Sequence, residues 1–534
     1  METIELTGQA LQPDQVVWLA RETGRTVRVA IAPDALARAA AAAETAERIA
    51  ARQPVYGRTT GVGANRTEHV ANGDREHGLR LLRSHASGIG HLVSPAATRA
   101  MLAVRANQLL AGGAGLRPEI VEVIIAALNA DVLPEIHEYG GLGTADLTAL
   151  AELGLALVGE RPWIAAPPTA PPALTPATTL TPPTATSPSP ISPSPEHSTN
   201  NDHTLTPHHT IGPRLVAVTS GDALALISSS ALTIGRACLE WRDTSRWVHA
   251  AHAVAALSHL ALAGSMEPFS QEVHDRRPHR SLMASAALIR ALLSDQNRSA
   301  ARIQDPFALR CIPQVHGAAL SSLDELEQVL AVELNVAAEN PLISVDNETV
   351  YHHGGFHQSL LTQALDALKL ALLAVGQLSI ARLDLMFHPE FTGLRPFLAD
   401  GEPASSGVMI LENVAHDALA ELRNAAMPAG LGHAVLSRGV EDHTPFTSHA
   451  ARQAARAGDA LQLVLATELV GAMRALRLRG VTPAASTPLD TLYTLAEILD
   501  PNTVDRSTTA DVHAAVGLLP QFADVAAKAL LPAP

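Results

Sequence analysis

The stretch QSLLTQALDALKLALLAVGQLSIARLDL, from Gln358 to Leu385, decides the fold class. Its apolar residues recur at three- and four-residue spacing, the period of a helix packed against neighbours. Ser321–Ala338 and Pro445–Leu478 repeat the pattern. All three stretches run past the mean helix length of about 11–12 residues. Long helices of this kind pack side by side, so the expected class is all-α, a long-helix bundle. No fixed-period repeat points to a solenoid. Hydrophobic residues make up 47% of the 534 and aromatics 3%. The core must therefore be built from Ala, Leu and Val, and Ala and Leu are strong helix formers.

Upstream, residues 1 to about 50 read as a short strand and turn, then an Ala-rich helix from Pro33 to Arg52. Pro33 suits a first helical turn. Helices are also expected over Asp74–Leu82, over Pro95–Leu110 and from Pro118 to Ala130. Residues 1–164 thus form a smaller mixed N-terminal region. Residues 165–212 are mostly Pro, Thr, Ser and Ala. Such a segment buries too little apolar surface to offset its ordering entropy, and it reads as a disordered surface insertion. Residues 213–480 are the expected central bundle and 481–534 a helical tail.

The formal net charge is -15, with no basic block. Nucleic-acid binding needs a basic face to neutralise phosphates, so it is not expected. Two cysteines, Cys238 and Cys311, make no disulfide framework and suit a reducing cytoplasm. The first residues have neither a basic nor an apolar leader region. The most apolar stretches carry charges every few residues, so no membrane span is expected.

Several segments carry candidate chemistry. Tyr56-Gly57-Arg58-Thr59-Thr60-Gly61-Val62-Gly63 has three glycines that let the backbone turn sharply and approach a ligand. Its Tyr can transfer a proton if its pKa is lowered, and alone the segment is equally a surface turn. Ser84-His85 lies beside small residues and can line a pocket. Gly140-Gly141-Leu142-Gly143-Thr144-Ala145-Asp146-Leu147 reads as a loop whose Asp146 caps the following helix. In Gln304-Asp305-Pro306-Phe307-Ala308-Leu309-Arg310, Arg310 can clamp a carboxylate or make a structural ion pair. Glu441-Asp442-His443 can be an acid–base cluster or a helix start. His352-His353-Gly354-Gly355-Phe356-His357 looks metal-like, but no carboxylate sits at helical spacing to complete a site, and no metal is expected.

The order and spacing of these segments, from about Leu6 to Leu519 outside the insertion, resemble the histidine, phenylalanine and tyrosine ammonia-lyases and related aminomutases. The Tyr56 segment is similar to the family's Y-G-x-x-T-G-x-G loop, whose Tyr is the expected base. Gln304 to Arg310 is similar to Q-D-x-Y-x-x-R, which puts Arg310 at the substrate carboxylate. Arg105-Ala106-Asn107, Gly115-Leu116-Arg117-Pro118, Asn340-Pro341-Leu342, Phe356-His357, Ser406-Gly407 and Glu441-Asp442-His443 fall in the family's order. The resemblance implies a small-molecule substrate, a homotetramer and active sites drawn from three subunits. Ser84-His85 resembles the form of histidine lyases and some tyrosine aminomutases, so His85 is expected to meet a polar ring such as imidazole or phenol.

The sequence departs from the family on one side of this site. The resemblance implies an Ala-Ser-Gly tripeptide that cyclises to a methylidene-imidazolone, in the context G-S-x-G-A-S-G-D-L. Here one residue is lost and the loop ends Thr144-Ala145-Asp146. Neither the Ser that supplies the methylidene carbon nor the ring-closing Gly is present, so no such cofactor is expected to form. The family's supporting Asn is replaced by Ser228, its second Tyr by Phe307, and its usual Asn by Gly355. Tyr56, Arg310 and Glu441 are retained. Three expectations follow: an enzyme repurposed for acid–base chemistry on an activated carboxylate or carbonyl substrate, with Tyr56 and Glu441 catalytic and Ser84, His85, Ser228, Gln304, Phe307, Arg310 and Phe356 around the substrate; a working ammonia-lyase or aminomutase; or a non-catalytic binding or hetero-oligomeric partner.

Overall fold

The computed structural model describes residues 2–22, 26–71, 73–166, 212–296 and 299–530. The expected disordered insertion lies almost wholly outside the described residues. The architecture is helical. Among the described residues, four small two-stranded sheets accompany the helices, and one of them pairs Glu2–Leu6 in parallel with Val27–Ile31. The helices that position the site are α1 (His77–His85), α2 (Pro95–Leu110), α3 (Leu147–Leu157), α4 (Ser220–Ile227), α5 (Ala231–Ala261), α6 (Ile312–Glu333), α7 (Ser359–Phe387), α8 (Leu411–Ala425), α9 (Thr447–Leu478) and α10 (Thr509–Ala529).

The bundle is built around α5, α7 and α9, of 31, 29 and 32 residues. The α5 alanines 250, 251, 253, 255, 256 and 261 have no exposed surface. Small side chains let helix axes approach closely, so a core with few aromatics still packs densely. One hydrophobic cluster runs from Ile4 to Ala526. Two helices differ from the sequence reading. α6 begins at Ile312, where Pro313 occupies the first turn. It ends at Glu333, because Asn335 turns aside to bond the backbone of Leu11. α1 starts at His77 rather than Asp74, whose carboxylate instead accepts the Glu76 N–H.

Charge spacing alone does not set two stretches apart from membrane spans. By length and composition, residues 220–261 and α7 are long and apolar enough to cross a membrane. The most apolar 18-residue window of the first stretch is 94% buried inside the fold. Three charges of α7 face partners inside the fold. Lys369 pairs with Asp366 at 2.8 Å, and Arg382 forms a two-pronged bond to Glu468, Nε to Oε1 at 2.6 Å and Nη2 to Oε2 at 2.9 Å. Ser258 of α5 and Ser379 of α7 donate to the same carboxylate. Arg382 and Glu468 are fully buried, so this carboxylate ties α5, α7 and α9 together.

A buried pair is costly to break, because the surviving charge stays unsolvated. Glu468→Leu should therefore destabilise the fold by about 3–5 kcal/mol, seen as a lower thermal unfolding midpoint. An unchanged midpoint would remove Glu468 from the bundle's supports.

Candidate active site

The three long helices begin at one place. Gly143 O accepts the N–H of Gln358, just ahead of α7, at 3.3 Å. Thr362 Oγ1 of α7 and Thr447 Oγ1 of α9 are 2.6 Å apart. Asp146 Oδ2 accepts the N–H of Thr233 in the first turn of α5 at 2.8 Å, and Oδ1 accepts from Thr233 Oγ1 at 2.8 Å and Ser448 Oγ of α9 at 3.3 Å. Asp146 occupies the N-cap position of α3, but its side chain makes no cap bond there. The expectation that it caps the following helix is corrected: it caps α5, whose free N–H groups it reaches across the junction. Burial raises its pKa despite these donors.

The candidate residues cluster on the segments that lead into these helices. Ser228 precedes α5, Phe356 precedes α7 and Glu441 precedes α9. Ser228 is buried, and its Oγ accepts the Asn340 N–H at 3.1 Å. Asp146 N donates to Ser229 O at 2.7 Å. Gly143 has φ +97, and a Cβ there would lie 2.7 Å from Thr447 N. Ala145 has φ 133 and is buried, and Thr144 beside it is partly exposed.

Tyr56 is held by its own loop, with Gly63 N–H donating to its Oη at 2.7 Å. Ser437 Oγ accepts the Ala64 N–H at 3.0 Å. Ser437 belongs to the turn closed by the Leu436–Glu441 bridge, so the Tyr56 loop and Glu441 are joined. Burial raises the Tyr56 pKa, the Gly63 bond opposes the rise, and Glu441 adds to it. The lowered value considered from sequence is therefore corrected: Tyr56 holds its proton. The His352 ring stands edge-on to Tyr56, with centroids 6.3 Å apart.

His85 ends α1. Its Nδ1 lies 2.9 Å from the Leu81 carbonyl, which only accepts. Nδ1 therefore carries a proton toward that carbonyl, and in the tautomer this fixes Nε2 is the acceptor. Ser84 Oγ donates to the same carbonyl. Leu82 of α1 and Leu226 of α4 both pack on Gly154, which places His85 at the Ser228 end of α4.

Gln304, Phe307 and Arg310 are elsewhere. Their segment docks at the far end of α5, through Ser265 N–H to Asp305 at 2.6 Å and Arg302 to Leu262 O at 2.7 Å. Arg382, late in α7, donates to Ala308 O at 3.3 Å. The 31 residues of α5 span about 45 Å at ~1.5 Å each. Arg310 and Tyr56 of one chain therefore cannot touch one small substrate. Phe307 is 66% exposed and Ile303 fully exposed, with the Arg310 guanidinium 4.5 Å over the Phe307 ring and its Nε without a partner.

His353 is engaged rather than free. Its Nδ1 accepts from Gly355 N–H, and its Nε2 faces Glu339 O at 2.8 Å. His357 Nε2 and His443 Nδ1 are 3.1 Å apart. Among the described residues no three such side chains converge. The sequence reading missed Thr233, Ser437 and Ser448, which carry no motif and act across long chain separations.

The family model for aromatic amino acid lyases matches residues 11–497. A histidine ammonia-lyase of Stigmatella aurantiaca is 30% identical over 524 residues, 97% of this chain and 96% of that one. One from Streptomyces coelicolor is 32% identical over 495 residues, 91% and 90% of the two chains. The solved tyrosine aminomutase from Streptomyces globisporus superposes with a TM-score of 0.83 at 26% identity, covering 98% of each chain.

Folding raises the Asp146 pKa, so the native state keeps this proton to higher pH than the unfolded chain. Its contribution to stability is complete below the ordinary aspartate value and is lost as pH rises from there through the raised folded value. Asp146→Asn should hold its thermal midpoint and flatten that pH dependence. Asp146→Ala, which uncaps α5, should lose about 1–2 kcal/mol. Identical pH profiles for wild type and Asp146→Asn would count against this role.

Proposed function

Because the chain belongs to the aromatic amino acid lyase family, we propose that it is an enzyme of this scaffold that works without the methylidene-imidazolone. It performs acid–base chemistry on a small carboxylate or carbonyl substrate that brings its own activation. The observation that carries this reading is the loop Gly143–Asp146. Ala145 has no hydroxyl to eliminate, and the Asp146 amide is already committed to Ser229 O. Gly143 is wedged against Thr447. These residues do not fit the prosthetic group, and no step is routed through it.

An acid or base alone contributes ~10²–10⁴-fold, against enzyme accelerations of ~10⁶ or more. An unactivated amino acid is therefore a poor substrate, and a conjugated carbonyl or thioester is a suitable one for addition, elimination, isomerisation or cyclisation. Tyr56, which holds its proton, donates it to the carbon or oxygen that gains charge. Glu441, joined to its loop, serves as the acid–base partner. Arg310 binds the carboxylate, and the His85 Nε2 acceptor receives a ring N–H or O–H. The distance between Tyr56 and Arg310 supports sites shared between chains of a homotetramer. The exposed Ile303 and Phe307 beside Arg310 support burial against a partner copy. Two unpaired cysteines support a cytoplasmic setting.

A second reading, a histidine- or tyrosine-type ammonia-lyase or aminomutase, is favoured by the relatives' names and by His85. Intact mass separates the two. The first expects the unmodified chain mass, and the second expects a mass short by two waters together with deamination of His or Tyr. Under the first, Tyr56→Phe should abolish turnover of whatever activated substrate is found by screening, and full retention of activity would sink it. Shared sites have their own test. Tyr56→Phe and Arg310→Ala should each be inactive, and co-expressed they should regain part of the wild-type turnover. Absence of any recovery in mixed oligomers would refute sharing.

A further inference from the structure

We propose that the buried pair His252 and His316 is an acid-triggered release: when either ring takes a second proton, the first turns of α6, which follow Arg310, part from α5. His252 lies on α5, His316 near the start of α6, and Ser285 on the helix Arg280–Leu292. All three side chains have no exposed surface. The two rings meet edge to face, with centroids 4.5 Å apart and planes at 87°. His252 Nδ1 lies 2.7 Å from Val248 O, so it carries the hydrogen, and Nε2 accepts from Ser285 Oγ at 2.7 Å. Neither ring nitrogen of His316 has a partner among the described residues. The packing here is tight. A Cβ on Gly317 would lie 2.8 Å from Leu282 Cα, so α6 touches the Arg280–Leu292 helix almost backbone to backbone.

A second proton on His252 forces Ser285 to turn its own hydrogen away, and one on His316 meets no acceptor. Either leaves an unpaired charge in the core. The charged groups that bear on the pair are Arg382 of α7 and, beside it on α5, His249, and both oppose a further positive charge. Glu468 of α9 is engaged with Arg382, Ser258 and Ser379. Burial first, and these neighbours second, push His252 down to about 3 and His316 well below the ordinary histidine value of 6.5. Opening restores ordinary values, so the opened state binds more protons as pH falls. The junction's stability is therefore complete above the ordinary histidine value and is lost as pH drops below it. The opening equilibrium gains about tenfold per histidine per pH unit. Arg382 also donates to Ala308 O, and α6 follows the Arg310 segment directly. Release thus frees the group assigned to the substrate carboxylate.

The test is hydrogen–deuterium exchange of the full chain at about pH 7 and about pH 5, either side of the ordinary histidine value, corrected for the intrinsic pH dependence of exchange. Residues 280–292 and 307–320 should lose protection about tenfold or more at the lower pH, while α9 keeps its own. His316→Leu removes one titrating group and should lose about tenfold less than the wild type. If it does not fold, His316→Gln replaces it, being uncharged at both pH values. Retained protection in the folded variant supports the release. Equal wild-type protection at both pH values, loss spread evenly over the whole chain, or an undiminished loss in the variant overturns it. Only the link to substrate rests on the proposed role of Arg310. Exchange is read without substrate, so a failed release leaves that role standing, and a failed role leaves the release standing.

Discussion

The structure depends on how Asp146 is satisfied. Its carboxylate is buried, and it accepts from the backbone and hydroxyl of Thr233 and from Ser448. Two of these bonds reach the start of α5 and one the start of α9, so one side chain sets where the two helices begin relative to each other. Gln358 and Thr362 add α7 through Gly143 and Thr447. The positive ends of long helices repel one another unless acceptors lie between them, and this loop supplies those acceptors.

That junction explains why the candidate residues lie where they do. Ser228, Phe356 and Glu441 are each on the few residues that enter a long helix. Backbone there is free of ladder bonding and can bend, while the helix behind it is rigid. The Glu468 carboxylate then holds the same three helices parallel deeper in the bundle. A rigid bundle with irregular entries gives precise placement at one end.

The same rigidity separates Arg310 from Tyr56. A straight helix of 31 residues cannot bring Arg310 back to Tyr56. Lengthening the bundle buries more Ala and Leu surface, and it also puts the two functional ends out of each other's reach. A substrate held by both Arg310 and Tyr56, as proposed, would need a second copy of the chain.

Periodicity alone settled the all-α class, because Gln358–Leu385 and Pro445–Leu478 repeat at helical spacing whatever surrounds them. It placed Pro95–Leu110 correctly as well. Motif order supplied the family and the retained Tyr56, Glu441 and Arg310, since these depend on residue identity. Missing Ser and Gly in the 140–146 loop were equally plain. What required the tertiary structure was every property set by a distant neighbour. Asp146 caps α5 rather than α3 because Thr233 is brought beside it. Tyr56 holds its proton because packing removes water from its hydroxyl. Arg452 stays 3.8 Å from Glu138 because Arg236 donates hydrogen bonds to both oxygens of that carboxylate. Local spacing encodes helices, but burial and charge pairing are decided by contacts across hundreds of residues, and only the packed bundle fixes those.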